Sequence, residues 1–270
     1  MEIWQAIVLG FTQGLTEFLP VSSSGHLAFI MRVFGVSEGG LFFSIILHLG
    51  TLVAVCTVYF KDIIALFKKP FKTLGFLVIA SVPAAVVGFL IEDIVDEKLL
   101  GSKYLGLILA IFFTVTAALL FVTEIFAKKR QNELPLCWRT IIPMGLAQAV
   151  AVLPGISRSG STICAGTLAG GKSEEVAKFS FLMSIPVILG SFIVSLAKGL
   201  YKGEIQADFS ANGSVYGWCI ALGFIISAVS GLFAIKVMLK VIQKANYKWF
   251  SLYLVLLAIV CIILYCCNKF

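Results

Sequence analysis

The chain has 270 residues, of which 60% are hydrophobic and 13% charged, with a net charge of +7. A soluble domain keeps roughly a quarter of its residues charged, so this composition excludes an ordinary water-soluble globule. Apolar runs such as 104–122 and 252–267 are long enough to cross a bilayer core of ~30 Å, which predicts an all-α polytopic membrane protein. The basic residues lie between these runs and not along one face, which argues against a nucleic-acid partner.

The first apolar stretch is not a simple membrane span. Residues 1–35 contain Pro20 followed by serines at 22–24, and a similar break recurs within 140–170. Unpaired backbone groups in hydrocarbon cost several kcal/mol each, so a broken helix survives only inside protein or beside a wet cavity. We interpret both stretches as re-entrant helix–loop–helix hairpins.

Six further segments are predicted to be full transmembrane helices. Lysines and arginines concentrate in the loops 61–73, 127–139 and 236–248, which the positive-inside rule places in the cytoplasm. Alternation then puts Leu41 and the C-terminus on the outer side. The predicted spans are 41–60, 74–91, 104–125, 179–197, 215–235 and 249–267.

The two broken stretches echo one another. Pro20–Gly25 has a counterpart in Pro154–Gly160, and each is followed by three predicted spans. An odd number of crossings forces the second half into the opposite orientation, as in the inverted repeats of many transporter folds. We therefore predict one transmembrane domain, 1–270, with pseudo-repeat halves 1–126 and 140–270 whose hairpin tips meet inside the membrane.

The polar residues of the first hairpin suit an anionic ligand. Gln13 and Glu17 are spaced i, i+4 and share one helix face. The serines at 22–24 supply hydroxyl groups and, at a helix start, free N–H groups that form a natural anion site. His26 adds an imidazole one helical turn further on.

The second hairpin adds a guanidinium, Arg158, flanked by Ser157 and Ser159 and followed by Thr162. A charge at membrane depth costs at least ~2.5 kcal/mol unless it is paired, so Arg158 is expected to bind an anion or to pair with Glu17. The fork of its N–H groups matches phosphate oxygens. The combined inventory of both tips suits phosphoryl transfer.

At these residues the sequence resembles a known family. Gln13–Glu17, Ser22–His26 and Pro154–Thr162 resemble the (Glu/Gln)xxxGlu, SS(S/T)GH and PGxSRSxxT motifs of the bacterial undecaprenyl-diphosphatases of the bacitracin-resistance type. The flanking stretches Leu47–Leu52 and Phe179–Pro186 are also similar to that family. Glutamine stands at position 13 where some members have glutamate, which leaves one carboxylate fewer for a metal.

The resemblance implies hydrolysis of undecaprenyl diphosphate to undecaprenyl phosphate and inorganic phosphate. This reaction recycles the lipid carrier of peptidoglycan synthesis and gives bacitracin resistance. It further implies a Mg²⁺ or Ca²⁺ cofactor, a bacterial plasma (inner) membrane location, and an active site that opens toward the outer, periplasmic face. The implied partners are the polyprenyl diphosphate and membrane lipids; a homodimer is compatible with the sequence, which does not decide the oligomeric state.

The resemblance also implies roles for individual residues. Glu17 and Gln13 would hold the metal or orient a proton acceptor. Ser23 is the candidate nucleophile, with water as the alternative, and His26 is its general base or the acid for the leaving group. Arg158 clamps the phosphate. The further phosphate-binding residues are Gln13, Ser22, Ser24, Ser157, Ser159 and Thr162.

Two other functions compete with this interpretation. An inverted-repeat transporter or flippase for a phosphorylated lipid would spread charged residues along several spans, whereas here they concentrate at two tips. A type-2 phosphatidic-acid phosphatase needs a closing His–Asp motif, but both histidines, His26 and His48, precede Arg158. His48 lies inside a predicted span and is expected to be structural or to support the site indirectly.

Overall fold

A computed structural model describes residues 1–36, 40–129, 133–201, 204–243 and 246–267. Throughout these ranges the chain is helical, apart from turns and an isolated bridge between Leu134 and Gly171. Arg130 and Lys244, which contribute to the predicted basic loops, lie outside the described residues. The predicted all-α class is confirmed.

The described residues form eleven α-helices, and a π-helical segment at Ile94–Leu100 follows the fifth helix. They are α1 (Ile3–Phe18), α2 (Ser23–Phe34), α3 (Gly40–Val58), α4 (Phe60–Leu66), α5 (Lys72–Asp93), α6 (Leu105–Lys129), α7 (Trp138–Val150), α8 (Arg158–Leu168), α9 (Ser173–Tyr201), α10 (Glu204–Gln243) and α11 (Lys248–Cys266).

Five of these helices are long and apolar enough to cross a membrane, counted over the described residues. The pair α3 and α4 adds a sixth if its 80° bend lies within one broken span. The chain is therefore a multi-pass membrane protein. Five of the predicted spans overlap these five helices, and 41–60 runs through α3 into the start of α4. The helix α10 has 40 residues and extends well beyond the predicted 215–235.

The break between α1 and α2 follows from a proline and a serine. Pro20 cannot continue a helix and restricts the residue before it, so Leu19 is extended at φ −73° and ψ 148°. The second helix then starts at Ser23, where the side chain of Ser22 caps it by accepting a hydrogen bond from the N–H of Gly25. A helix–break–helix pair thus occupies the first predicted hairpin.

The break between α7 and α8 is built in a similar way. Ser157 caps α8 by accepting from the N–H of Gly160. Thr116 of α6 holds the preceding loop, because its hydroxyl donates to the carbonyl of Gly155 at 3.1 Å and accepts from the N–H of Ser157 at 3.2 Å. The second predicted hairpin is therefore also a helix–break–helix pair, anchored to a neighbouring helix.

Small residues bring α1 very close to α10. A Cβ atom on Gly14 would lie 1.9 Å from the hydroxyl of Ser230 and 2.4 Å from the carbonyl of Ser227. At Gly10 it would lie 2.7 Å from the carbonyl of Gly223. Apolar surface gains little by leaving lipid for another helix, so such close contacts are what hold membrane helices together. They fix the helix that carries Gln13 and Glu17.

Candidate active site

The carboxylate of Glu17 is the centre of the site. Glu17 lies in the last turn of α1 and is only 4% exposed. One of its oxygens forms an ion pair with Arg158. The other accepts hydrogen bonds from the hydroxyl of Ser23 at 2.5 Å and the side-chain amide of Gln13 at 2.9 Å. A charge this deeply buried needs such compensation, so these four residues form one unit.

The two tips are joined by further hydrogen bonds. Ser22 accepts from the backbone N–H of Gly155 at 3.1 Å, and Ser159 donates to the carbonyl of Leu19 at 2.9 Å. The predicted meeting of the two tips, with Glu17 beside a guanidinium, is therefore observed.

Both tips face a cavity of about 160 Å³ that suits an anion. The helices α2 and α8 begin at Ser23 and Arg158, so their first N–H groups have no carbonyl partner within the helix. Two positive helix ends and one guanidinium thus converge on the cavity. Its lining includes the predicted residues Glu17, Ser22, Ser23, Ser24, Ser157, Arg158 and Ser159.

Three predicted site residues lie outside the lining that the described residues form: Gln13, Thr162 and His26. Gln13 contacts the site through the hydrogen bond of its side-chain amide to Glu17. Thr162 is a buried residue of α8, where its hydroxyl lies 2.8 Å from the carbonyl of Arg158 and 2.6 Å from the hydroxyl of Ser180. A direct contact of Thr162 with phosphate stays a prediction.

His26 is buried, and both of its ring nitrogens are engaged. Nδ1 lies 2.7 Å from the carbonyl oxygen of Ser22, and Nε2 lies 2.7 Å from the hydroxyl of Tyr253 in α11. The structure thus places the imidazole one turn from Ser23 along α2 but directs its nitrogens to other partners. The acid–base role implied for His26 stays a prediction.

His48, which the sequence led us to expect as a structural residue or an indirect support of the site, lies beside Glu17. It lines the cavity, and its Nε2 atom lies 3.8 Å from Glu17, while Nδ1 lies 2.8 Å from the carbonyl of Ser44. Thr16 and Ser191 line the cavity as well. One signal for His48 was available, since ionisable residues within membrane spans default to functional roles.

A larger, mostly apolar cavity adjoins the polar one. It has a volume of about 660 Å³ and lies between α5, α7 and α9. Both cavities share lining residues, among them Arg158, Val152 and Val187. An anion-binding site and an apolar cavity therefore meet at the guanidinium.

The residues around Glu17 fit a divalent cation only in part. No group of three or more His, Cys, Asp or Glu residues in the described part of the chain could hold a metal. The side-chain carbonyl oxygen of Gln13 is nevertheless buried without a hydrogen-bond partner among the described residues, and Glu17 adds carboxylate oxygens. Mg²⁺ and Ca²⁺ prefer oxygen ligands, and Mg²⁺ often combines one or two carboxylates with substrate phosphates.

Fold and site together define a polytopic membrane protein with a buried acid–serine–guanidinium cluster beside an apolar cavity. The chain belongs to the family described as bacitracin resistance protein BacA, which matches residues 6–260.

Curated relatives match the chain over nearly its whole length. A protein named undecaprenyl-diphosphatase from Carboxydothermus hydrogenoformans is 38% identical, and the match covers 100% of both chains. One of the same name from Caldicellulosiruptor bescii is 40% identical over 98% of both chains. Another from Methanobrevibacter smithii is 39% identical over 94% of both chains.

Proposed function

We propose that this protein hydrolyses undecaprenyl diphosphate to undecaprenyl phosphate and inorganic phosphate. It thereby recycles the lipid carrier of peptidoglycan and other cell-wall polymers and gives bacitracin resistance. The observation that carries the proposal is the buried carboxylate of Glu17 in contact with Ser23 and Arg158, the first residues of two helices, next to an apolar cavity. Family membership and the names of the relatives support it.

The first step uses the hydrogen bond between Ser23 and Glu17. As the serine oxygen attacks the terminal phosphorus, Glu17 takes the hydroxyl proton. The anhydride bond then breaks and undecaprenyl phosphate leaves. Water attacks the phosphoserine and the P–Oγ bond breaks; Glu17 returns its proton to the Ser23 oxygen, and the protons of the water leave with inorganic phosphate.

Arg158 supplies the fixed positive charge for this reaction. Without substrate its guanidinium is held in place by Glu17 and is largely buried. The diphosphate competes for the guanidinium, whose N–H groups then bind phosphate oxygens as negative charge redistributes in the transition state. Phosphoryl transfer depends mainly on such positioning and charge stabilisation.

The apolar cavity supplies the specificity for a lipid. Its walls of valine, alanine and phenylalanine side chains suit the isoprene units nearest the diphosphate, and it ends at Arg158. A soluble diphosphate would gain the same polar contacts but none of this apolar burial. We therefore expect short-chain analogues to have a higher KM.

We propose in addition that Glu17 and Gln13 hold a Mg²⁺ or Ca²⁺ ion, which when bound supplies positive charge near the diphosphate. Since the described residues provide few ligands of their own, tight binding needs the phosphate oxygens. Calorimetry with Ca²⁺ tests this: binding should be weak to the protein alone and strong after addition of a non-hydrolysable methylene diphosphonate lipid. Equal binding in both cases contradicts the proposal.

The proposed arrangement in the membrane has six spans, with α3 and α4 as one broken span, and two re-entrant hairpins in inverted halves. The site then opens to the outer face of the bacterial plasma membrane, and the C-terminus lies outside. A C-terminal alkaline phosphatase fusion should be active and a C-terminal green fluorescent protein fusion dark; the reverse result contradicts this topology. The sequence leaves the oligomeric state open, a homodimer included, and the mass of the solubilised protein decides it.

Phosphate release from undecaprenyl diphosphate by the purified protein in detergent, with Mg²⁺ or Ca²⁺, tests the function directly. Wild type should release one phosphate per lipid, and Ser23→Ala should release almost none. A lipid flippase makes the opposite prediction, since it would move the lipid across vesicles without phosphate release. That outcome would end the phosphatase proposal.

A further inference from the structure

A chain of hydrogen bonds leads from α11 to the residue before Ser23. The carbonyl oxygen of Ser22 can only accept, so Nδ1 of His26 carries the proton of that contact. In the neutral ring Nε2 is then an acceptor, and the hydroxyl of Tyr253 donates to it. The carbonyl of Ser22 therefore fixes the tautomer of His26, and the hydroxyl of Tyr253 holds the ring in the orientation in which Nδ1 donates to Ser22.

The imidazole is also held by its neighbours. The ring of Tyr253 stacks on it with centroids 5.7 Å apart and 11° between the planes. The ring of Phe113 meets it at 62° and 5.4 Å. Because His26 is only 4% exposed, its ring has little freedom to find other partners.

Ser22 is the residue that needs such support. Its backbone lies at φ 69° and ψ 97°, and Phe71 is the only other non-glycine residue with positive φ in the described ranges. Residues other than glycine avoid positive φ, so the conformation of Ser22 persists only where surrounding contacts hold it. The peptide that follows Ser22 sets the direction in which Ser23 presents its hydroxyl to Glu17.

We propose that Tyr253 is a positioning residue, which acts through His26 to hold Ser22 in its strained conformation and so aims Ser23 at Glu17. The effect on catalysis rests on the proposed phosphatase function; the hydrogen-bond chain does not. Tyr253 is 44% exposed on a membrane-spanning helix, and without this contact it would be an ordinary lipid-facing tyrosine.

Tyr253→Phe removes the hydroxyl and keeps the stacked ring. Loss of one hydrogen bond should lower kcat about 3- to 10-fold and leave KM within about twofold of wild type. Tyr265→Phe is the matched control, because Tyr265 lies in the same helix and contacts the ring of Tyr104, away from the site. A rise in KM at constant kcat, or an unchanged kcat, overturns the proposal.

A spectroscopic readout separates this proposal from the proposed function. The chain has 2 histidines, so in protein labelled with ¹⁵N-histidine the His48→Gln variant identifies the signals of His26. The Nε2 resonance should shift in Tyr253→Phe and stay in Tyr265→Phe. This holds even if the wild type releases no phosphate, whereas an unmoved resonance shows that the hydrogen bond is absent.

The route through Ser22 is tested by removing the strain. Glycine adopts positive φ freely, so Ser22→Gly no longer needs the support of His26. In that background Tyr253→Phe should lower kcat less than about twofold, a coupling that double-mutant cycles detect. The same fold loss in both backgrounds contradicts the proposed route.

Discussion

The two helix starts at the site share the pattern Ser-x-Ser-Gly and the same cap, but their backbones differ. In each, the first serine accepts from the N–H of the glycine three residues later, which pairs Ser22 with Gly25 and Ser157 with Gly160. The backbone of Ser157 is ordinary, at φ −72° and ψ 120°, whereas Ser22 lies at φ 69° and ψ 97°.

The difference reflects the group that each start delivers. The next residue is Ser23 in one start and Arg158 in the other. A guanidinium reaches its target on a long side chain, so its backbone can stay relaxed. A serine hydroxyl lies next to Cβ, so the backbone itself must bring it to Glu17. The backbone strain therefore lies at Ser22, which has to position the short side chain of Ser23.

The helices that precede the two starts differ in charge. Gln13 and Gln148 stand equally far before their capping serines, and both are buried with side-chain carbonyl oxygens that have no partner among the described residues. Five residues before the capping serine, the first half has Glu17 at the end of α1 and the second half has Val152 just after α7. Among the described residues the tips therefore share one ion pair, between Glu17 and Arg158, and each half supplies one of its two partners.

The largest expected effect on activity comes from Arg158, at the start of α8, where the backbone is unstrained. Arg158→Ala should lower the rate of phosphate release about 10³-fold, because it removes the fixed charge that stabilises the transition state. Arg139→Ala is the control, since Arg139 is exposed at the start of α7. Phosphate release by both purified variants is the measurement, and a loss under tenfold at Arg158 would remove it from the mechanism.

Glu17→Gln comes next, with a loss of about 10²-fold, since the amide cannot take the proton of Ser23. The guanidinium of Arg158 also loses its buried partner, so the variant should unfold at a lower temperature, with about 3 kcal/mol less stability. Glu133→Gln, at an exposed position, should match wild type in both assays. Full activity in Glu17→Gln contradicts the role of base.

Ser23→Ala should also lower turnover by at least ~10²-fold, with little change in substrate binding. Brief incubation of wild type with ³²P-labelled substrate followed by acid quench should leave label on the protein, and Ser23→Ala should leave none. Substantial turnover by Ser23→Ala makes water the attacking group.

The smallest expected effect is on thermal stability, and it distinguishes the cap at Ser157 from the cap at Ser22. Ser157→Ala should cost about 1 kcal/mol, the usual value for a lost N-cap. Ser22→Gly loses its cap and also the acceptor for the N–H of Gly155, but glycine relieves the positive φ, so its melting temperature in detergent should fall no further than that of Ser157→Ala. A clearly larger loss in Ser22→Gly would mean that Ser22 is not strained.

Much of the fold and part of the site follow from local patterns. Apolar runs marked the spanning helices, and Pro20 with the serines after it marked the break before α2. The pairing of Glu17 with Arg158 was predictable because a charge at membrane depth needs a partner and few were on offer. The length of α10 could not be predicted, since its first part is too polar to count as a membrane span.

The contacts that His48 and Tyr253 make across helices could not be predicted from the sequence. His48 sits in an apolar run, and only the packing of α3 against α9 and α10 brings it to the cavity. In the sequence Tyr253 resembles the other aromatic residues of a spanning helix, yet its hydroxyl forms a hydrogen bond with His26, which is 227 positions away. Nothing local shows in which direction an imidazole turns.

The sequence by itself determined that the chain is helical, lies in a membrane, breaks at two serine-rich tips and joins one acid to one guanidinium. These properties depend on hydrophobic run length, on the missing N–H of proline and on the cost of an unpaired charge, all of which are local or involve one pair. Only the tertiary structure decided which groups surround that pair, because the direction of each side chain depends on contacts from several helices at once.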